Sequence, residues 1–260
     1  MTDRRRINGP AVSTPPVYED HAFIKRTRDS DTCRRLFLQL GWTTKANGNA
    51  YLESGNIKIA CSVFGPRPTK TSSFHSIAKL TCELKFSPFA QTVRKSNVQD
   101  INERDFSQHI ERSLAPSIML HLYPKSSIDV YIQILESDGQ LATIAAAITC
   151  ASLAIANAKI DCIDIVTGAS ALYKQPSASC IVDPEESDER DADRSTSFML
   201  VGYMASLGQV TEVWTEGSLS STDLSKLLEK CTDVASKTRL VANNVLAETE
   251  KKSIRANRKR

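Results

Sequence analysis

The sequence lacks the patterns that mark secreted, disulfide-stabilised and zinc-binding proteins. The stretch from Met1 to Arg6 contains no apolar run, so we expect no secretory signal. The seven cysteines are widely spread and include no CxxC pair, which argues against a disulfide framework and against a zinc site. The sequence therefore predicts a protein of a reducing compartment.

The motifs of common enzyme classes are also missing. The chain has no GxxxxGK phosphate loop, no GxSxG elbow and no HExxH, so the usual kinase and hydrolase mechanisms have no candidate residues. The four histidines have no metal-ligand spacing, and we interpret them as surface or packing residues: His21, His75, His109 and His121. We therefore expect no metal site and no cofactor.

The sequence also has no large excess of positive or negative charge. The 33 basic and 30 acidic side chains leave a formal charge of +3, too small to predict that the whole surface binds nucleic acid. Hydrophobic residues make up 41% and charged residues 24%, which is typical of a folded soluble protein. Any contact with nucleic acid must therefore be local or shared with partners.

One long stretch without charge is present, from Leu141 to Ala158. Eight of its residues are alanine, and Thr143, Thr149 and Ser152 interrupt it, so it is marginally hydrophobic and barely long enough for a bilayer. A helix that is apolar on nearly all sides is expected in a protein core. We therefore predict a buried helix and no membrane contact.

Alternation of apolar and polar residues predicts several strands around this helix. Short runs with a period of two, or bounded by glycine and turn residues, indicate strands at residues 50–53, 57–64, 80–86, 128–134, 163–166, 178–182, 198–204 and 210–215. The first two flank Ser54-Gly55-Asn56 and form a predicted hairpin. We expect the third run to join the same sheet as this hairpin.

Two further stretches have helical spacing. An apolar residue every fourth position from Phe106 predicts a helix that bends or breaks near Pro116. A second stripe follows the capping sequence at 220–223 and runs to Val245. The sequence thus predicts one α+β domain at residues 31–250, with an extended arm at 1–30 and a basic tail at 251–260.

Three stretches of the chain resemble one protein family in order and spacing. They are GNAYLESGNIKIACSVFGPRP (48–68), YPKSSIDVYIQILESDG (123–139) and ASLAIANAKI (151–160). The chain is similar to RNase PH-like ring subunits of the eukaryotic RNA exosome, and residues 3–11 resemble the start of a fungal member. The resemblance implies the RNase PH fold, a ribosomal-protein-type β-α-β architecture with its mixed sheet against the alanine-rich helix and the long C-terminal helix.

Active members of this family hold the attacking phosphate with a Gly-Thr-Arg-Thr turn at the start of the alanine-rich helix. A helix start offers backbone N–H donors and a favourable dipole, and the arginine adds a fixed cation. Here the matching positions read Gln140, Leu141, Ala142 and Thr143. The resemblance therefore implies a dismantled phosphate site, and we interpret the remaining Thr143 as a capping or packing residue.

The family's second catalytic element is a pair of aspartates six residues apart. Counted from Asp183, these positions fall on Glu189 and Ser195. A shifted alignment would use Asp188 or Asp193, and the alternative is that the acidic segment is a solvated loop. Because the arginine and an orderly carboxylate pair are both lost, we expect no catalytic residue.

Basic residues lie between the third predicted strand and the first helix, where members of the family contact the RNA backbone. Arg94, Lys95 and Arg104 could contact phosphates without reading sequence. A solvated surface is the alternative, since no aromatic side chain is interleaved with them. Three roles are also possible for the basic tail: a nuclear localisation signal, an extension that binds RNA, or a solubilising segment.

The resemblance implies a non-catalytic ring subunit, which supports RNA processing and decay as a structural component and by forming part of the path that the RNA follows. It implies partners of four kinds: other RNase PH-like ring subunits, RNA-binding cap subunits, an associated hydrolytic nuclease and single-stranded RNA. The expected compartments are the nucleus, nucleolus and cytoplasm. Two alternatives remain, an active phosphate-dependent 3′ exoribonuclease and a free-standing RNA-binding protein that reuses the fold.

Overall fold

The computed structural model describes residue 26 and residues 28–69, 75–91, 93–96, 98–175, 179–191 and 196–257. These residues form nine strands and four α-helices. In chain order the elements are β1 (Leu36–Leu40), β2 (Gly48–Ser54), β3 (Ile57–Pro68), β4 (Lys79–Phe86), α1 (Ile101–Leu114), β5 (Ser126–Glu136), α2 (Gln140–Asn157), β6 (Val166–Lys174), β7 (Ser179–Val182), α3 (Glu186–Arg190), β8 (Thr196–Met204), β9 (Gln209–Glu216) and α4 (Ser221–Asn257).

The first sheet is mixed, as the family resemblance implied. Its strand order is β1-β2-β3-β5-β4, and only β4 and β5 run parallel, with α1 as the crossover between them. The period of two in β4 places four apolar side chains on the buried face: Leu80, Cys82, Leu84 and Phe86. The α+β class and the β-α-β unit are therefore confirmed.

A second sheet is fully antiparallel, with the order β7-β6-β8-β9. The helix α2 packs against β2 and β3 of the first sheet and against β6 of the second. Glycines allow this close approach, because a Cβ at Gly48 would lie 2.3 Å from the carbonyl oxygen of Ala154, and one at Gly168 would lie 2.2 Å from that of Ala145. The alanine-rich sequence thus builds a thin helix that two sheets can share.

The helix α2 is long and apolar enough to cross a membrane by length and composition alone, and 78% of that stretch is buried inside the fold. Fourteen of its residues are buried, which leaves almost no face for solvent. This burial confirms the prediction of a core helix.

The helix α1 begins with a capping box. Asp100 caps the first turn, and the carboxylate of Glu103 accepts a hydrogen bond from the Asp100 N–H at 3.0 Å. The other oxygen of Glu103 accepts from the Phe86 N–H at 3.0 Å, so the same buried carboxylate fastens α1 to the end of β4. The buried stripe of this helix carries Phe106 and Ile110, as the sequence predicted.

The structure corrects the sequence interpretation at two places. The strand predicted at 163–166 is wrong, because Ile163 is 51% exposed and the strand starts only at Val166, continuing through weakly apolar residues to Lys174. The strand β1 was not predicted.

The predicted break of the first helix near Pro116 is confirmed, because a 3-10 turn replaces the α-helix there.

The C-terminal helix α4 is longer than its apolar stripe. Its buried positions include Leu227, Cys231, Ala235 and Ala242, and the helix continues to Asn257. Most of the basic segment predicted at 251–260 is therefore helical, and its last residues lie outside the described part of the chain. Residues 1–25 of the predicted arm also lie outside the described part of the chain.

All seven cysteines are free thiols.

Candidate functional site

The start of α2 is the place at which the sequence predicted a dismantled phosphate site. Gly139 precedes the helix with a φ of 86° and supplies no side-chain cap. The hydroxyl of Thr143 is fully buried, donates to the carbonyl oxygen of Gly139 at 2.5 Å and lies 3.0 Å from the hydroxyl of Ser137. The environment of Thr143 is that of a packing residue.

The backbone donors at this helix start are already occupied by a side chain of the protein. The carboxylate of Glu189, on α3, accepts hydrogen bonds from the N–H groups of Gln140 at 2.8 Å and Leu141 at 3.0 Å. One carboxylate oxygen serves each donor, so Glu189 stands where an oxyanion would bind at a helix N-terminus. Burial raises the pKa of this carboxyl, while the two backbone hydrogen bonds and Arg34 oppose the rise.

Ala142, which the sequence analysis matched to the family's arginine, is 3% exposed. It lines a small cavity of about 70 Å³ together with Arg34 and Asp183. The neighbouring Leu141 is also buried and lies against the hydrophobic core. This position therefore faces the protein interior, and it provides neither a cation nor a hydroxyl for a ligand.

Three arginines ahead of β1 bind the acidic residues that surround the start of α2. The guanidinium of Arg34 has a side chain only 5% exposed and lies 3.3 Å from the carboxylates of both Asp138 and Asp183. Arg28 pairs with Glu185 at 2.7 Å. Sequence reasoning missed this network, although the basic run before β1 and the acidic run after β7 are a signal for it.

Asp188, one of the alternative catalytic carboxylates, belongs to the same network. It lies 3.3 Å from the guanidinium of Arg26 and accepts a hydrogen bond from the Glu185 N–H at 3.1 Å. Its bonds are thus structural, since they cap α3 and fasten the segment before β1. Asp193 and Ser195 lie outside the described residues.

The predicted RNA-binding residues lie around the loop between β4 and α1. Arg94 and Arg104 are exposed, whereas the ammonium of Lys95 lies 4.6 Å from the ring centroid of Phe86. This distance is that of a cation–π contact. The carbonyl oxygen of Ala90 accepts a hydrogen bond from the Ser137 N–H at 2.9 Å, so the basic loop adjoins the start of α2.

Together, the two sheets, the crossover α1 and the helix that meets an acidic element at its start define a protein with the RNase PH fold. The model of the 3′ exoribonuclease family, domain 1, matches residues 32–161. The chain belongs to this family, among its RNase PH-like exosome subunits.

Relatives over nearly the full length carry the name of one exosome subunit. The chain is 54% identical to "Exosome complex component mtr3" of Schizosaccharomyces pombe, over 97% of this chain and 99% of the relative. It is 35% identical to the protein called MTR3 of Chaetomium thermophilum, over 96% and 99% of the two chains. These fungal relatives confirm the predicted resemblance to a fungal RNase PH-like exosome subunit.

Solved structures support the fold independently. The crystal structure of rice Rrp46 matches with a TM-score of 0.72 at 18% identity, covering 85% of this chain and 98% of that one. An Archaeoglobus fulgidus exosome with RNA bound to the active site matches with a TM-score of 0.71 at 18% identity, covering 82% and 89%. The RNase PH fold predicted from the sequence is confirmed.

Proposed function

We propose that this chain is a non-catalytic ring subunit of the RNA exosome, which supports 3′–5′ RNA processing and degradation by forming the RNA-threading pore and by holding partner subunits. The observation that carries the proposal is the carboxylate of Glu189 on the backbone donors of Gln140 and Leu141. A phosphate cannot use donors that an anionic side chain already occupies, and two anions at one site repel each other. The site is closed by the protein's own side chain.

The degenerate phosphate site extends the same reasoning. Phosphorolysis needs a bound phosphate, and a phosphate needs a fixed cation as well as hydroxyl or backbone donors. Ala142 supplies no cation, Leu141 no hydroxyl, and the hydroxyl of Thr143 is buried in an internal hydrogen bond. The positive charge of Arg34 lowers the pKa of the Glu189 carboxyl. The guanidinium of Arg34 is nevertheless paired with Asp138 and Asp183.

An activity assay tests the non-catalytic assignment. The purified chain is incubated with single-stranded RNA and inorganic phosphate, alone and with its ring partner, beside an active RNase PH-type enzyme as positive control. We expect no nucleoside diphosphates from either sample. Phosphate-dependent diphosphate release that disappears on Asp188→Asn would instead support the alternative, an active phosphate-dependent 3′ exoribonuclease.

The assembled ring supplies the partners in this proposal. These are other RNase PH-like ring subunits in a hetero-hexamer, RNA-binding cap subunits and an associated hydrolytic nuclease, in the nucleus, nucleolus and cytoplasm. Relatives named as exosome components support the assignment. Size-exclusion chromatography of the native protein from cell extract tests it, since a ring subunit elutes with a large complex and a free-standing RNA-binding protein elutes alone.

We further propose that Arg94, Lys95 and Arg104 contact the phosphates of RNA passing through the ring. The exposure of Arg94 and Arg104 makes both guanidinium groups accessible from the solvent side. Each lost contact with single-stranded RNA should reduce the slope of log affinity against log salt by about 0.7. A salt series on the ring with all three residues changed to alanine tests this, and slopes equal to the wild type would place these residues off the RNA path.

A further inference from the structure

A cleft between α1 and β9 opens beside the start of α2 and has a chemistry unlike that of a phosphate site. Two cavities of about 420 Å³ and 210 Å³ share Gln140, Trp214 and Glu216 as lining residues. Asp105 of α1 lines the larger one, and Glu189 lines the smaller one. The cleft therefore adjoins the occupied helix start.

An aromatic pair forms one wall of this cleft. The ring of Trp214 stacks on that of His109, with centroids 4.8 Å apart and an interplanar angle of 23°. The Nδ1 atom of His109 lies 2.7 Å from Glu212, which fixes the imidazole in place, and the ring centroid of Phe106 lies 6.0 Å from that of Trp214. Trp214 itself is only half-buried, so part of the indole stays accessible from the cleft.

The polar groups of the cleft are acceptors and amides. Asp105 and Glu216 are exposed, and neither carboxylate has a hydrogen-bond or ion-pair partner among the described residues. No lysine or arginine occurs among the described residues that line the two cavities. Carboxylates in a concave site without a cation repel RNA phosphates and attract a positive group.

We propose that this cleft binds an arginine side chain from an extended segment of a partner protein. A guanidinium is a planar cation that can stack on the indole of Trp214 while it donates to the carboxylates of Asp105 and Glu216. An ammonium matches this set less well, because it is a strongly hydrated point charge. The inference rests on the proposed function, since it assigns a cation to the surroundings of a lost phosphate site.

Trp214 provides the readout for a direct test. The chain has two tryptophans, so Trp42→Phe leaves Trp214 as the only one. The full chain with this change is titrated with the blocked peptide Gly-Arg-Gly-Arg-Gly and with the same peptide carrying citrulline, an uncharged analogue of arginine. We expect the arginine peptide to change the fluorescence of Trp214, with an apparent Kd at least about tenfold lower than that of the citrulline peptide.

Matched variants separate the cleft from the rest of the surface. Asp105→Asn combined with Glu216→Gln should weaken the arginine peptide about tenfold or more, while Glu229→Gln on the exposed side of α4 should leave its Kd unchanged. Equal binding of both peptides, no fluorescence change up to millimolar peptide, or no effect of the double variant would overturn the inference.

A titration with oligouridylate tests whether the cleft binds RNA instead of an arginine side chain. Saturable binding of this RNA that shifts Trp214 fluorescence and is displaced by the arginine peptide would overturn the inference and show that the cleft takes RNA. The peptide titrations contain no RNA and no phosphate, so their outcome is independent of the phosphorolysis assay. Peptide binding can therefore fail while the non-catalytic assignment stands, and the reverse also holds.

Discussion

Ala142 differs from an arginine in more than charge. Its side chain is 3% exposed and belongs to the hydrophobic core, so a guanidinium placed there would enter the core. We expect Ala142→Arg to create no phosphorolytic activity and to lower the free energy of unfolding by about 1–3 kcal/mol through overpacking. Nucleoside diphosphate release and urea denaturation measure the two effects.

Gln140→Arg is the matched control for this change, since Gln140 is exposed on the same first turn. It should alter the free energy of unfolding by no more than about 0.5 kcal/mol. Appreciable turnover of Ala142→Arg would contradict the view that the site has lost several components at once.

Glu189 should make stability depend on pH in a recognisable way. Burial raises the pKa of its carboxyl above the ordinary value of 4.5. A group with a higher pKa in the folded state favours the fold most below its unfolded pKa, and this contribution is lost as the pH rises through the folded-state pKa. The free energy of unfolding of the wild type, relative to Glu189→Gln, should therefore fall as the pH rises from about 4 to about 7.

Urea denaturation of both proteins across this range provides the measurement. Glu186→Gln serves as the control, because Glu186 lies on the same helix and pairs with Arg190 at an exposed position. Parallel profiles for the wild type and Glu189→Gln would contradict a raised pKa at Glu189.

At the scale of elements, the contact of α2 with β6 depends on Gly168. A Cβ at this position would lie 2.2 Å from the backbone oxygen of Ala145, and a backbone atom cannot rotate away as a side chain can. We expect Gly168→Ala to lower the free energy of unfolding by about 3 kcal/mol, because the helix must shift away from the second sheet. Thermal and urea denaturation measure the loss.

Gly41 offers a control with a different cause. It has a φ of 74°, and a Cβ added there would have no atom within 4 Å, so Gly41→Ala carries only the cost of a left-handed backbone, about 1 kcal/mol. Equal losses for the two variants would show that the close approach of α2 and β6 is not what limits stability.

The elements that the sequence predicted well are those whose burial leaves a clear sequence pattern, either one buried face or burial on every face. The period of two in β4 and β5 reflects one buried face, and the charge-free stretch of α2 reflects burial on all faces. The sequence of β6 is VTGASALYK, in which both faces are buried and small residues leave no alternation. Its start was therefore misplaced, and the second sheet was not foreseen.

The sequence indicated where the candidate site lies but not which side chains make contacts there. The count from Asp183 reached Glu189, yet nothing local showed that this carboxylate would bind the N–H groups at residues 140 and 141. The pairing of Arg26 with Asp188 spans 162 positions of sequence. Contacts of this kind depend on how α3 packs against α2, which no periodicity encodes.

At the scale of the whole molecule, the described residues leave sheet edges and apolar groups exposed. β1 and β9 are terminal strands, and they expose Phe37 and Val213 to 54% and 46%. The loop before α1 adds Phe89 and Val98, exposed to 71% and 78%. Such edges and patches are typical of surfaces that a partner covers.

We therefore expect the isolated chain to self-associate or to be poorly soluble until its ring partner is supplied. A formal charge of +3 over 260 residues provides little repulsion against aggregation. Obligate interfaces bury on the order of 2,000 Å² or more, and a partner that binds only the native state stabilises it by mass action. Co-expression with an RNase PH-like ring subunit should raise the soluble yield and the Tm together, as measured by fractionation and thermal denaturation, whereas co-expression with an unrelated soluble protein should change neither. A monodisperse monomer that is stable at high concentration, with a Tm that no ring subunit alters, would contradict the proposed place of this chain in a ring.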